Sequence, residues 1–255
     1  MRSVEGEPAL VLRRTEYGES DLVVGLYGRS LGKITALARG ARKSRKRFGA
    51  GLGLFTISEV SLQTRPKANM WTLLTAQPTQ SYGELAYDVA GMAHGSYGTE
   101  LVRELCADEH SDPALFDLLV NLYKSLADVG PKVGRLRVFE LRLLAELGLA
   151  PVLTRCASCD TKLGDTGMHW VPDKGGVVCE RCAAIELTTG VRSISAEAID
   201  YLITAQALVQ LPSGDALDGL PAAVEARQAM LSLLYWHVGK PLKSVEFIAK
   251  LRNKE

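Results

Sequence analysis

A two-domain architecture, a small five-stranded β-barrel followed by an α-helical domain with an inserted four-cysteine module, is predicted by three features of the 255-residue sequence. Short apolar runs separated by turn signals fill residues 8–77, and from residue 85 onward apolar residues recur at helical spacing. Two CxxC pairs, Cys156 with Cys159 and Cys179 with Cys182, then interrupt the helical part with nineteen residues between them. The expected boundaries are residues 1–80 for the barrel and 81–255 for the helical domain, with the cysteine module at about 152–190.

The expected strands come in order. Ala9-Leu10-Val11-Leu12 is the first, Leu22 to Tyr27 the second, and Ile34 to Ala38 the third after a turn at Ser30-Leu31-Gly32. A fourth runs from Leu54 to Leu62, and a fifth from Met70 to Leu74 beyond a turn at Arg65-Pro66-Lys67-Ala68-Asn69. The OB-fold is the commonest five-stranded solution, and an SH3-like barrel satisfies the same periodicity.

The helices follow. Leu115, Leu118, Leu119, Leu122 and Leu126 form a core-facing stripe behind Asp112-Pro113, an N-cap with a first-turn proline. Leu136, Phe139, Leu143 and Leu147 repeat the spacing up to Gly148. Three glycines between Gly91 and Gly98 predict a kink or a close helix contact in the preceding helix. After the insert, Ser195 is the next N-cap, and a last long helix is expected from about Pro221 to Val238, with Val224, Leu231, Leu234 and Val238 on one side, before Gly239 stops it.

Each CxxC knuckle grips one edge of a tetrahedron, so the two together predict one structural Zn2+ held by Cys156, Cys159, Cys179 and Cys182. Two disulfides or unliganded thiols are the alternatives. His169, inside the insert, is expected to be a surface or packing residue, and Cys106 a packed helix residue. Met1 to Glu7 contains no apolar leader and no run approaches about eighteen apolar residues, so a cytoplasmic protein without membrane contact is expected, where thiols stay reduced.

The net charge of +1 hides an asymmetry: residues 1–80 carry 13 Lys and Arg against 6 Asp and Glu, and the remainder 17 against 23. The excess concentrates in Arg39-Gly40-Ala41-Arg42-Lys43-Ser44-Arg45-Lys46-Arg47, six cations in nine residues, with no acidic residue between Asp21 and Glu59. Such a run suits a polyanion, because every phosphate neutralised releases condensed counterions whatever the base sequence. Arg39, Arg42, Lys43, Arg45, Lys46 and Arg47 are therefore the candidate contacts to a polyanion, with Lys33 and Arg14 in addition, and a solvated charged loop is the alternative. Phe48 is either a base-stacking residue or core. Arg135 and Arg142, two helical turns apart, would share a face that either extends the track or serves solubility. No Walker-type loop, HExxH or GxSxG motif is present, and the Tyr17-to-Asp21 segment is expected to be a solvated turn, so a non-enzyme is expected.

Arg14-Thr15-Glu16-Tyr17-Gly18-Glu19-Ser20-Asp21, Gly32-Lys33-Ile34 and Ala38-Arg39-Gly40-Ala41-Arg42-Lys43-Ser44 resemble the barrel signature of the bacterial recombination-mediator family RecO. Gly239-Lys240-Pro241-Leu242-Lys243-Ser244 resembles its C-terminal signature, although family members often place arginine where this chain has Val245, and not all carry the cysteines. The resemblance implies an OB-fold DNA-repair and recombination protein, nucleoid-associated, that binds single- and double-stranded DNA and anneals complementary strands. It further implies that RecR acts with it to help RecA displace single-stranded DNA-binding protein. A transcription or translation factor joining an OB-fold to a zinc ribbon is the competing reading, and a zinc-dependent hydrolase a third.

Overall fold

A computed structural model describes residues 2–64, 70–164, 167–185, 191–212 and 217–252; the turn expected at 65–69 lies outside them. The chain divides into two compact units, Met1–Gly130 with Ser244–Glu255, and Pro131–Lys243.

The first unit begins with β1 (Ser3–Tyr17), β2 (Asp21–Gly28), β3 (Gly32–Ala38), β4 (Thr56–Gln63) and β5 (Trp71–Ser81). Their order is β1-β2-β3-β5-β4, and β1 also pairs with β4, so the pairing returns to its first strand. Every pairing is antiparallel except β3 with β5. This is the Greek-key order of the OB-fold, which removes the SH3-like alternative. Alternate residues point inward: Val24 and Leu26, Ile34 and Ala36, and Val60 and Leu62 are all buried in one cluster. β1 is far longer than the Ala9-to-Leu12 run expected, because only those four consecutive residues are buried apolar side chains and the polar remainder of the strand is held by backbone pairing and polar side-chain contacts rather than apolar burial.

Two helices complete this part, α1 (Val89–Leu105) and α2 (Pro113–Val129). Asp112 caps α2 by accepting from Ala114 N at 2.8 Å, and the leucine stripe faces inward. The glycines of α1 permit a close contact rather than a break: a Cβ on Gly95 would stand 2.8 Å from the Phe55 ring. That ring meets Tyr123 edge-on at 5.2 Å, and the Tyr123 hydroxyl lies 2.6 Å from Thr99 Oγ1. Cys106 is buried at the end of α1, where burial pushes its thiol up to about 11.

The second unit contains α3 (Val133–Glu146), β6 (Met168–Val171), β7 (Gly176–Cys179), the short α4 (Glu180–Ala183), β8 (Arg192–Ser193), α5 (Ala196–Ala207) and α6 (Ala222–Val238). The three strands form a sheet of order β7-β6-β8. Trp170 of β6 is buried and donates from Nε1 to Ser232 Oγ on α6 at 3.0 Å, which fastens the cysteine module to the helices of its own unit. Ser195 caps α5 as expected, accepting from Ala198 N at 3.2 Å. The buried side of α6 is rotated from the side that the sequence stripe marks: Ala226, Met230, Leu233 and Leu234 face the core, whereas Val224 is 59 % exposed. Alanines at 222, 223, 226 and 229 let the helix approach closely on a face that a search for large apolar residues passes over.

The chain then returns to the first unit with α7 (Lys243–Arg252). Its anchor is Ser244, which donates from its backbone N at 2.8 Å and its hydroxyl at 2.5 Å to buried Glu100 on α1. Arg103 balances that carboxylate from 3.2 Å. Replacing Glu100 by Ala strands two buried donors, and the expected loss is about 2–3 kcal/mol of stability, measured by denaturant unfolding. An unchanged unfolding midpoint would show that the tie contributes nothing.

Candidate metal centre and nucleic-acid interface

The four cysteines converge although they come from two separate segments, Cys156 and Cys159 from a loop and Cys179 and Cys182 from the end of β7 and from α4. Their sulfurs all lie within 4.8 Å of one another, with Cys159 and Cys179 3.9 Å apart. A tetrahedral four-thiolate site with metal–sulfur bonds of about 2.3 Å has edges of about 3.8 Å, whereas a disulfide requires about 2.05 Å. All five cysteines of the chain are free.

Local backbone geometry builds this arrangement. Cys156 N donates to Thr161 O at 2.8 Å and Asp160 N to Cys156 O at 2.9 Å, closing the first knuckle around Asp160, whose φ is +59°. The second knuckle follows β7, with Cys179 as the residue before α4. A Cβ on Gly176 would fall 2.2 Å from Val152 O, so only glycine lets the segment before the first knuckle lie against β7. Burial works to raise the Cys156 thiol, yet hydrogen bonds from the backbone N–H groups of Cys179, Cys159 and Ser158 outweigh it and bring it down. Hydrogen bonds from Thr161 hold Cys159 at about 5, and the guanidinium of Arg181 sits beside that thiolate. The hydrogen bond that Cys182 shares with Cys159 instead pushes its own thiol up to about 12, so two lowered sulfurs, an N–H···S bond and a neighbouring cation are the features that fit a metal held by thiolates. His169, on β6, is not in the cluster.

The basic loop lies between β3 and β4. Arg39, Arg42, Lys43, Arg45, Lys46 and Arg47 are all exposed, but Phe48 is 2 % exposed and belongs to the sheet core, so it is no stacking platform. The loop is held at both ends. Gly40, at φ +65°, donates to Asp21 Oδ1 at 2.8 Å, and Arg42 N donates to Ser20 O at 3.0 Å. Arg42 also pairs with Glu16 at 3.3 Å. On the other side Ala76 N donates to Arg47 O at 2.8 Å, while the Arg47 guanidinium donates to Arg39 O at 2.8 Å and covers the Phe48 ring. Arg42 and Arg47 thus shape the loop. Arg39, Lys43, Arg45 and Lys46 form no side-chain ion pair with any described residue, which leaves four charges facing solvent. The Tyr17-to-Asp21 turn, which reads in the sequence as merely solvated, is the bracket that holds this loop.

Comparison with known proteins decides the family. The family model for "Recombination protein O N terminal" matches residues 1–82, and that for "Recombination protein O C terminal" matches residues 86–246. The chain belongs to the RecO family. A protein of Anaeromyxobacter dehalogenans named DNA repair protein RecO is 34 % identical over 247 residues, covering 95 % of this chain and 94 % of its own length. Proteins of the same name from Desulfatibacillum aliphaticivorans (32 % identical, 96 % of each chain) and Syntrophotalea carbinolica (31 % identical, 95 % of this chain and 93 % of its own) match similarly. RecO membership supports a role in DNA repair and recombination.

Several RecO-like residues have structural roles. Gly32 is required because a Cβ there would fall 2.1 Å from His110 O, and Lys33 donates to Arg103 O at 3.0 Å while pairing with Asp108 at 3.3 Å. Lys33 is therefore committed within the fold. Arg14 is exposed on β1. Arg135 and Arg142 do not share an exposed face: Arg135 is 3 % exposed and donates to Pro212 O at 2.6 Å, and Arg142 pairs with Glu146 at 3.0 Å. A guanidinium buried and bonded in this way has no surface from which to meet a phosphate, so Arg135 leaves the candidate interface. Val245 is buried, so it is a packing position in this chain. No helix among the described residues is long and apolar enough to cross a membrane.

Proposed function

We propose that this RecO-family protein is a mediator of DNA repair and homologous recombination. It binds single- and double-stranded DNA, anneals complementary strands and, with RecR, assists RecA to load on DNA coated by single-stranded DNA-binding protein. The observation that carries this reading is the 39–47 loop: four cations without an ion-paired described partner, fixed by a bracket on a five-stranded sheet. A strand lying on such a loop loses part of its repulsion for a second strand. Base pairing then supplies the driving force, so the activity needs no bond to be made or broken.

The metal we assign is one structural Zn2+ per chain. A donor set of four soft thiolates suits zinc rather than calcium or magnesium, and a closed site leaves no position for activated water. Zinc would hold the module together, and the protein would work in the reducing cytoplasm. A strand-annealing assay with unlabelled competitors, run across a salt series, tests the reading. Annealing should fall steeply with salt, and unrelated competitor sequences should inhibit equally. Inhibition by one sequence alone, or by folded RNA alone, would favour a transcription or translation factor instead.

A further inference from the structure

The six cations of the 39–47 loop differ in what they face. Arg39, Lys43, Arg45 and Lys46 face solvent, and Arg47 folds back within the loop onto Arg39 O and the Phe48 ring. Arg42 faces the turn between β1 and β2 instead. Its backbone N donates to Ser20 O at 3.0 Å, its guanidinium donates from Nη1 to Glu19 O at 3.4 Å, and the same Nη1 stands 3.3 Å from Glu16 Oε2. One carboxylate and two carbonyls beside one turn thus hold one residue of the loop.

Glu16 and Asp21 do different work there. Asp21 accepts from the Gly40 N–H, so it fixes the backbone of the loop and takes no cation. Glu16 takes the charge of Arg42. Its carboxylate is carried on a defined frame, because Glu16 pairs in register with Leu22, and Tyr17 with Asp21, at the end of the β1–β2 hairpin. Both partners remain open to solvent, the Arg42 side chain at 42 % and that of Glu16 at 70 %, so a phosphate can reach the guanidinium once the carboxylate lets go. An exposed ion pair is weak, comparable to a single phosphate contact, and the two therefore compete for one cation.

Resting on the DNA-binding reading above, we infer that Glu16 is an autoinhibitory competitor for DNA phosphate, which withholds Arg42 from the strand and so caps the affinity of the loop. Two electrostatic effects act together. The carboxylate occupies a cation that would otherwise displace a counterion from the strand, and it places a negative charge beside the path of a negative backbone. A protein that brings two strands together must also let them go once they have paired, and a loop held one cation below its full charge releases them sooner.

The test measures binding of a labelled oligothymidylate to the full-length protein across a salt series. Glu16→Gln keeps the shape of the side chain and removes its charge. It should bind about fivefold more tightly at roughly 50 mM salt and about twofold more tightly at roughly 200 mM, a slope steeper by about 0.7, with unchanged melting. In a protein that also carries Arg42→Ala, Glu16→Gln should bring no gain over Arg42→Ala alone, because the two residues act through each other. Glu19→Gln removes a carboxylate from the same turn without touching the pair, and should leave the slope unchanged. An equal gain from Glu16→Gln with and without Arg42, or the same gain from Glu19→Gln, would show a general field effect and overturn the competition. Unchanged or weaker binding by the folded Glu16→Gln variant would overturn it too, and all three results leave the broader reading intact. A wild-type protein that fails to bind the oligothymidylate even at low salt would overturn both.

Discussion

Cys179→Ser is expected to abolish stoichiometric metal binding and to lower the melting temperature of the protein by on the order of 10 °C. The sulfur lies in a cluster whose four members are all within 4.8 Å of one another, so its loss leaves three ligands and an open corner. The apolar cluster around the site is small: Cys156, Val171 and Val178 are its buried members, with partly buried neighbours such as Leu163 and Ala183. So little burial cannot order the module alone, and metal affinity there is folding free energy. A loss of several kcal/mol in a chain of this size corresponds to a shift of that order. Elemental analysis before and after the substitution, together with thermal melting, checks the result. Undiminished metal content with unchanged melting would remove these cysteines from the site.

Replacing Arg39, Lys43, Arg45 and Lys46 together by Ala should weaken binding to unrelated DNA sequences about equally, without unfolding the protein. These four side chains are exposed, and removing them disturbs neither the Asp21 bracket nor the Arg47 contacts. Exposed charges of this kind contribute little to stability. In binding, each lost phosphate contact is worth about 0.7 in the single-strand salt slope, so between roughly 50 and 200 mM salt the wild-type protein should lose about fifty-fold more affinity than the variant. Arg42→Ala is the informative contrast: it removes the pairing with Glu16 as well as a charge, so it should also raise the mobility of the loop.

The cysteine centre was legible because CxxC spacing is a local constraint that survives any uncertainty about the surrounding fold. The five strands were legible where they bury apolar runs and blurred where they do not, as in the exposed ends of β1 and β5. Side-chain commitment was not legible. Lys33 reads as a cation beside a turn, and only the folded chain brings Asp108 and the Arg103 carbonyl to it. Arg135 reads as a surface residue of a helix, but the Pro212 carbonyl, 77 residues away, accepts its guanidinium in the interior. The bracket formed by Ser20 and Asp21 escaped notice for the same reason: its work depends on a loop about twenty residues further along the chain, and polar residues in a turn carry no periodic signal.

The central claim is that DNA is held through the free charges of the 39–47 loop, and the dependence of affinity on salt tests it most directly. Plotted as log affinity against log salt for a single strand, the wild-type protein should give a slope steeper by about 2.8 than the variant lacking Arg39, Lys43, Arg45 and Lys46. Identical slopes for the two proteins would contradict the claim and place the DNA contacts elsewhere on the molecule.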